Sequence, residues 1–418
     1  MKKSNWKKFI FTGAMLSIAA LTLAGCGSSK DKEGTSTSET KDSAAELKLW
    51  VTNQPGTKKF YEGALADFKK EHPKYKITIV ETEDAKAQEN VKKDPDAAAD
   101  VFTLPHDQLG QMVDAGVIYE NEKFGDDIKK DQTDAAVEAA TYKGKMYAYP
   151  YGIESQVLFY NKEKLSEDDI KTYEDITSKA TMGLNMEAVN AYALAPLFMS
   201  NGDYLYGKTG EDPKGTDFNN AKGVEVLKWM ATQKSNKGAI QVSDDTMAAF
   251  GSGKIASFES GPWDKAAAIE AIGKDNLGIA AYPTVNLGSG EVQQKSFLGV
   301  KLYAVNAATK VPLAAMELAN YLSGEKMQEI QFKDSTRNII PTNKTVQDSD
   351  MVKNDALAKA VVTMSGSDYS VVMPKIPEMV SFWTPTSAVM SDAYTGKIQE
   401  DQYQAKLDQL VKDISAKE

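Results

Sequence analysis

Two tryptophans stand at junctions that resist regular structure. Trp263 follows Gly261-Pro262, and Trp383 follows the Pro-containing run Met373-Pro-Lys-Ile-Pro377 and Phe382. An indole at such a junction is either a core side chain or an exposed flat face. An exposed face can stack on the apolar C–H side of a sugar ring at small entropic cost. Trp229 lies between Val226 and Met230 in a helical pattern and Trp50 lies in an alternating one, so both read as core. Other candidate chemistry is thin. Gly251-Ser-Gly253-Lys254 lacks the full G-x-x-x-x-G-K-[ST] pattern and follows a helical run, so it reads as a connecting loop. The pairs Asp126-Asp127, Asp168-Asp169 and Asp244-Asp245 lack the spacing of a calcium loop and read as surface or helix-start charges. No G-x-S-x-G elbow accompanies His106.

Composition narrows the classes further. The 418 residues include one Cys, two His and a single Arg, Arg337, with a formal charge of −10. One Cys excludes a disulfide framework and a thiolate-built metal centre, and two His leave little for an imidazole site; no metal and no cofactor are expected. Arg is the usual group for bidentate capture of phosphate or carboxylate, so a highly anionic ligand is disfavoured. Negative charge without a basic patch argues against nucleic acid as a partner. The length favours two lobes, and 42% hydrophobic residues is too apolar for a disordered chain.

The N-terminus reads as an address. Lys2, Lys3, Lys7 and Lys8 precede an apolar run from Phe9 to Ala24, which marks residues 1–25 as a secretory signal. The run ends Leu23-Ala24-Gly25-Cys26, which matches the lipobox of bacterial lipoproteins, and the chain's only Cys falls where diacylation requires it. An ordinary signal peptide or a membrane anchor with a stray Cys is the alternative. Residues 26–45 are rich in Ser, Thr, Gly and charge and read as a lipid-anchored flexible tether. The expected location is the extracellular face of the cell membrane, where the lipid on Cys26 attaches the protein, and no later stretch is apolar enough to span a bilayer.

Elements that could position the tryptophans follow from periodicity. Leu47 to Val51 reads as a strand, 57–71 as a helix with Phe60, Ala64, Leu65 and Phe68 on one face, and Tyr75 to Val80 as a strand. A short strand over Asp100–Leu104 enters the loop Pro105-His106-Asp107-Gln108, and Leu109 to Ala115 looks helical. Strand, helix and strand at this spacing predict a mainly parallel α/β sheet, whose ligands bind beyond the carboxyl ends of strands. Tyr147 to Ile153 is aromatic and turn-rich, Gln156 to Asn161 reads as a strand, and 218–235, 311–333 and 381–417 are helical. Val292 to Val305 returns to strand character.

Five ordered segments then carry a resemblance. Ala148-Tyr-Pro-Tyr-Gly-Ile-Glu154, Asn161-Lys-Glu-Lys-Leu165, Glu259-Ser-Gly-Pro-Trp263, Phe297-Leu-Gly-Val300 and Met373 through Trp383 together resemble the maltose/maltodextrin-binding proteins, solute-binding subunits of ABC importers. The resemblance runs from about Leu47 to the C-terminus. It implies an α/β fold of two lobes, periplasmic-binding-protein-like (Venus flytrap), with hinge crossings between the lobes. Lobe one would be 46–152 plus 302–352, lobe two 153–301 plus 359–418, and 353–358 a hinge region. It implies a monomer that captures maltodextrin in an interlobe cleft and hands it to permease subunits of an ABC importer, without being an enzyme. The family's aromatic platform matches at Tyr192, Trp263 and Trp383, and its carboxylates at Asp107 and Glu154. Aromatic faces stack on glucose rings, and ionised carboxylates accept pairs of hydroxyls, worth about 1.5–3 kcal/mol each in a dry site. Asp107 could instead cap a helix, and Glu154 could form a salt bridge across the hinge.

Some family positions are changed. Leu104 stands where a stacking Trp is placed, Gln108 replaces a sugar-contacting Arg, Gln54-Pro55 an Asp-Lys pair, and Asn190 a Glu near Tyr192. These changes favour maltotriose or longer glucans over maltose, with another oligosaccharide or a cyclodextrin as the alternative. Two further classes stay in view: a surface glycoside hydrolase using Asp107, Glu154 or Glu259 as acid and base, and a lipoprotein adhesin with no soluble ligand.

Overall fold

The computed structural model describes residues 44–83, 86–243, 245–334, 337 and 339–415. The signal segment, Cys26, the tether up to residue 43 and Asp244 lie outside the described residues. In chain order the strands begin with β1 (Ala45–Thr52), β2 (Tyr75–Thr82), β3 (Val101–Pro105), β4 (Thr141–Tyr142), β5 (Lys145–Met146), β6 (Ala148–Ser155) and β7 (Val157–Asn161). They continue with β8 (Met182–Leu184), β9 (Ala239–Gln241), β10 (Ser257–Ser260), β11 (Leu277–Ala280), β12 (Thr284–Asn286), β13 (Glu291–Gln293), β14 (Ser296–Val305) and β15 (Ser370–Val372). Ala45, read as the end of the tether, is already buried in β1.

Two sheets carry the fold. The first runs β15-β14-β3-β1-β2, with β6 also paired to β14; the second runs β11-β7-β10-β8-β9. Both are mixed, which corrects the expectation of a mainly parallel sheet. β1 is parallel to β2 and β3, but the long β14 returns antiparallel to both β3 and β6. In the second sheet β8 is parallel to β9 and β10, while β7 is antiparallel to β10 and β11.

β1 buries Leu47, Leu49 and Val51 on one face and leaves Trp50 half-buried on the other, so Trp50 is not fully core. The helix expected over 57–71 is two helices, Thr57–Ala64 and Ala66–Glu71, meeting at Leu65. Their buried stripe is Tyr61, Leu65 and Phe68; Phe60 and Ala64 are half-buried.

Tyr147–Ile153, read as turn-rich, falls almost wholly within β6. Nearly every residue of β6 is buried, so both faces are covered and no alternation shows in the sequence. Pro150 is accommodated by a bulge: Gly152 pairs with Lys301 and Pro150 with Leu302, leaving Tyr151 as the extra residue. Only Gln156 separates β6 of the first sheet from β7 of the second. The helix Ala356–Met364 packs on β6 and on β7 and β11, bracing that crossing from both sides. Among the described residues no helix is long and apolar enough to cross a membrane.

Candidate functional site

β3 ends at Pro105, and a single 3-10 turn, His106–Gln108, carries Asp107 beyond its carboxyl end. His106 anchors that turn. Its Nδ1 accepts the Val300 N–H at 3.0 Å, and its Nε2–H donates to the Met373 carbonyl at 2.9 Å. Along β14, pairing with β15 stops at Leu298 and pairing with β3 starts at Lys301; the imidazole fills the gap. Burial, reinforced by the Lys375 charge, lowers His106 to about 3, so the ring is neutral and acts as a fixed strut. Asp107 is not the helix cap considered from sequence: Gln108 occupies that position before the helix Leu109–Asp114, and Pro105 before the 3-10 turn. Its carboxyl is partly reachable from solvent yet crowded by protein. Burial pushes it up to about 6, opposed by its own backbone N–H and aided by the negative charge of Glu154.

Glu154 stands on β6 opposite Gly299 of β14. A Cβ at Gly299 would lie 2.9 Å from Glu154 Cγ, so glycine there makes room for the carboxylate. Glu154 Oε2 pairs with Lys301 Nζ at 2.8 Å, a salt bridge between adjacent strands of one sheet and not the hinge-spanning one considered from sequence. Both groups are about one-third exposed, so the pair contributes about 1 kcal/mol or less to stability.

Tyr192 sits on the short helix Ala191–Leu194. The Asn190 Oδ1 accepts the Tyr192 N–H at 3.0 Å, and the Ala191 N–H donates to Ser387 Oγ at 3.1 Å, tying this helix to the helix Met379–Thr395. Asn190, one of the departures from the family pattern, is thus the cap that orients Tyr192. Burial, then the charges of Glu154 and Asp107, raise the Tyr192 phenol well above its ordinary value. Its ring stacks near Phe297 with centroids 6.0 Å apart, and Phe297 meets Trp383 edge-on at 5.9 Å. Asp107, Glu154, Tyr192 and, through Phe297, Trp383 are therefore brought together. Trp263 follows β10 on the turn Pro262–Asp264, 55% exposed, with its ring against Gly261. Leu104, where the family pattern offers a ring, is buried in β3 and presents no stacking face.

Phe297 and Lys301 were not singled out from sequence, although the alternation Phe297, Gly299, Lys301 sets them on one face of β14 with the glycine opposite Glu154. Among the described residues no cluster of His, Cys, Asp and Glu could hold a metal ion. A cavity of about 710 Å³, lined by parts of 133–138, 202–210 and 362–372, includes none of these site residues.

Polar acceptors and flat rings facing one another beyond the carboxyl ends of strands suit a neutral polyol. Residues 63–360 match the family described as bacterial extracellular solute-binding protein, and the chain belongs to that family. It is accordingly an extracellular binding protein and not an enzyme, which removes the hydrolase reading. Among its relatives, the galactooligosaccharide-binding protein of Bacillus subtilis (strain 168) is 29% identical, over 92% of this chain and 91% of the relative. The maltooligosaccharide ABC transporter solute-binding lipoprotein of Streptococcus pneumoniae serotype 4 is 28% identical, over 93% of this chain and 94% of the relative. The maltodextrin-binding protein MalE1 of L. casei BL23 without ligand superposes with a TM-score of 0.85 at 39% identity, covering 90% of this chain and all of that one. The fold is thus the two-lobe one expected from sequence.

Proposed function

We propose that this protein captures maltodextrins of three or more glucose units between its lobes and delivers them to an ABC importer. The observation that carries the reading is the convergence of two carboxyl groups, Asp107 and Glu154, with the rings of Tyr192 and Trp383. Tyr192, Trp263 and Trp383 stack on glucose faces, while Asp107 and Glu154 accept vicinal hydroxyls. The names of two relatives, one a maltooligosaccharide and one a maltodextrin binder, support the choice of ligand.

Lobe one carries the first sheet and lobe two the second, with the chain crossing between them at Gln156; the bounds expected from sequence, 152/153 and 301/302, fall inside β6 and β14 of the first sheet. Sugar touching both lobes favours the closed arrangement by the difference in its affinity for the two states. The closed pair of lobes presents a surface to the permease, and a diacyl group on Cys26 keeps the monomer at the membrane. A second reading, a galactooligosaccharide ligand, is favoured by the Bacillus subtilis relative and by Leu104, which leaves one stacking position empty.

Calorimetric titration of the mature chain tests both readings, using α-glucans of two to seven units and galactooligosaccharides. Affinity that rises from maltose to maltotriose supports the first reading. Binding of galactooligosaccharides alone supports the second. No affinity for any of these sugars overturns both.

A further inference from the structure

Glu259 shares a signature with Asp107 and Tyr192. Each is partly reachable from solvent, yet each is so enclosed by protein that its charged form is strongly disfavoured. Reachable and enclosed together describe a concave wall. Glu259 is the one half-buried residue of β10, whose other three positions are buried. Its carboxyl accepts from Gln294 Nε2 at 2.8 Å and lies beside the Tyr282 hydroxyl. Tyr282 is in turn within electrostatic reach of Tyr192, and its hydroxyl oxygen is buried without a well-formed hydrogen bond. Trp263 follows four residues after Glu259 on the same strand-to-turn run. Tyr282 thus links Glu259 to the Tyr192 platform, and the exposed indole of Trp263 follows on the same run of chain.

We propose that Glu259, held by Gln294 next to Tyr282, is a further sugar-contacting residue on the second sheet's side of the cleft. It offers its carboxyl to a hydroxyl of the glycosyl unit stacked near Trp263. The inference rests on the oligosaccharide reading above and extends it. Enclosure pushes the carboxyl up to about 8, so at neutral pH it is a protonated acid. It both donates and accepts, which a vicinal diol can match, whereas Asp107 stays an acceptor above about 6. The titratable groups facing it are the phenols of Tyr282 and Tyr173, which burial holds well above their ordinary value, so Glu259 titrates before either.

Two variants test the assignment, with maltotriose as the probe and thermal melting as the control for folding. Glu259→Ala should lose tenfold or more in affinity. Glu259→Gln, an uncharged isostere, should stay within about threefold at pH 7. In the wild type, sugar contact favours the protonated acid, so affinity is full between about pH 6, above which Asp107 is ionised, and pH 8, and falls as pH rises through 8 to 9. Glu259→Gln should show no such fall. Wild-type affinity in Glu259→Ala, or a pH profile unchanged in Glu259→Gln, would overturn the assignment while leaving the oligosaccharide reading intact. A wild type that binds neither α-glucans nor galactooligosaccharides would overturn both. If Glu259→Ala does not fold, the pH comparison between wild type and Glu259→Gln decides alone.

Discussion

Asp107 carries opposing demands in one carboxyl. In the fold it titrates at about 6, against 3.8 when unperturbed, so the folded chain holds the proton over that interval. Relative to a neutral isostere, the ionised group costs stability that grows as pH rises from 3.8 to 6 and persists above. Asp107→Asn should therefore raise the melting temperature at pH 7.5, leave it unchanged near pH 3.5, and weaken sugar binding at pH 7.5. Sugar hydroxyls favour the ionised form, so wild-type affinity should be full above pH 6 and fall below it, as calorimetry at pH 5 and 7.5 would record. Trp263 offers the cleaner test of stacking because its ring is largely exposed. Trp263→Ala should weaken maltotriose binding by about 2 kcal/mol, roughly thirtyfold, with an unchanged melting temperature. Equal affinity in the variant would remove Trp263 from the site.

At the scale of elements, short pieces do the positioning. The helix Ala191–Leu194 has one turn and depends on the Asn190 cap to hold Tyr192. Asn190→Ala should cost about 1 kcal/mol of stability in urea unfolding and weaken sugar affinity through a looser Tyr192. Restoration by Asn190→Asp but not by Asn190→Leu would identify the cap as the cause. These short elements also mark where sequence reading reached its limit. β1, β2 and β3 were legible because one-sided burial or a clear apolar run shows in the residue pattern. β6 was not, because burial on both faces erases alternation and Pro150 signals a turn until the bulge opposite Leu302 explains it. The breaks at Leu65 and Gly324 were hidden inside continuous helical patterns. β15 has three residues and exists through its partner Ser296–Leu298, a long-range pairing that no local pattern announces.

For the molecule as a whole, the site was legible mainly through the resemblance. Asp107, Glu154, Tyr192 and Trp383 were named from sequence and lie together, whereas the roles of His106, Phe297 and Lys301 emerge only from strand register across β3, β6 and β14. That register also marks where the proposed hinge would turn. The chain leaves the first sheet at Ser155 and enters the second at Val157, and the helix Ala356–Met364 touches both sides of the crossing. Rotation about that crossing should shrink the molecule when sugar is bound, and small-angle scattering with saturating maltotriose should give a smaller radius of gyration. An unchanged radius would contradict closure in solution. Cys26→Ser should release the protein from cells into the medium, and retention at the membrane would contradict the lipid anchor.

Aromatic rings and carboxyl groups of this cleft are proposed to hold a glucan. Intrinsic tryptophan fluorescence of residues 27–418, titrated with maltotriose, tests this, because Trp263 and Trp383 are the rings proposed to stack on the sugar. A saturable shift at micromolar sugar is expected, reduced in Trp263→Ala. No spectral response and no bound sugar up to millimolar maltotriose and longer α-glucans would contradict it.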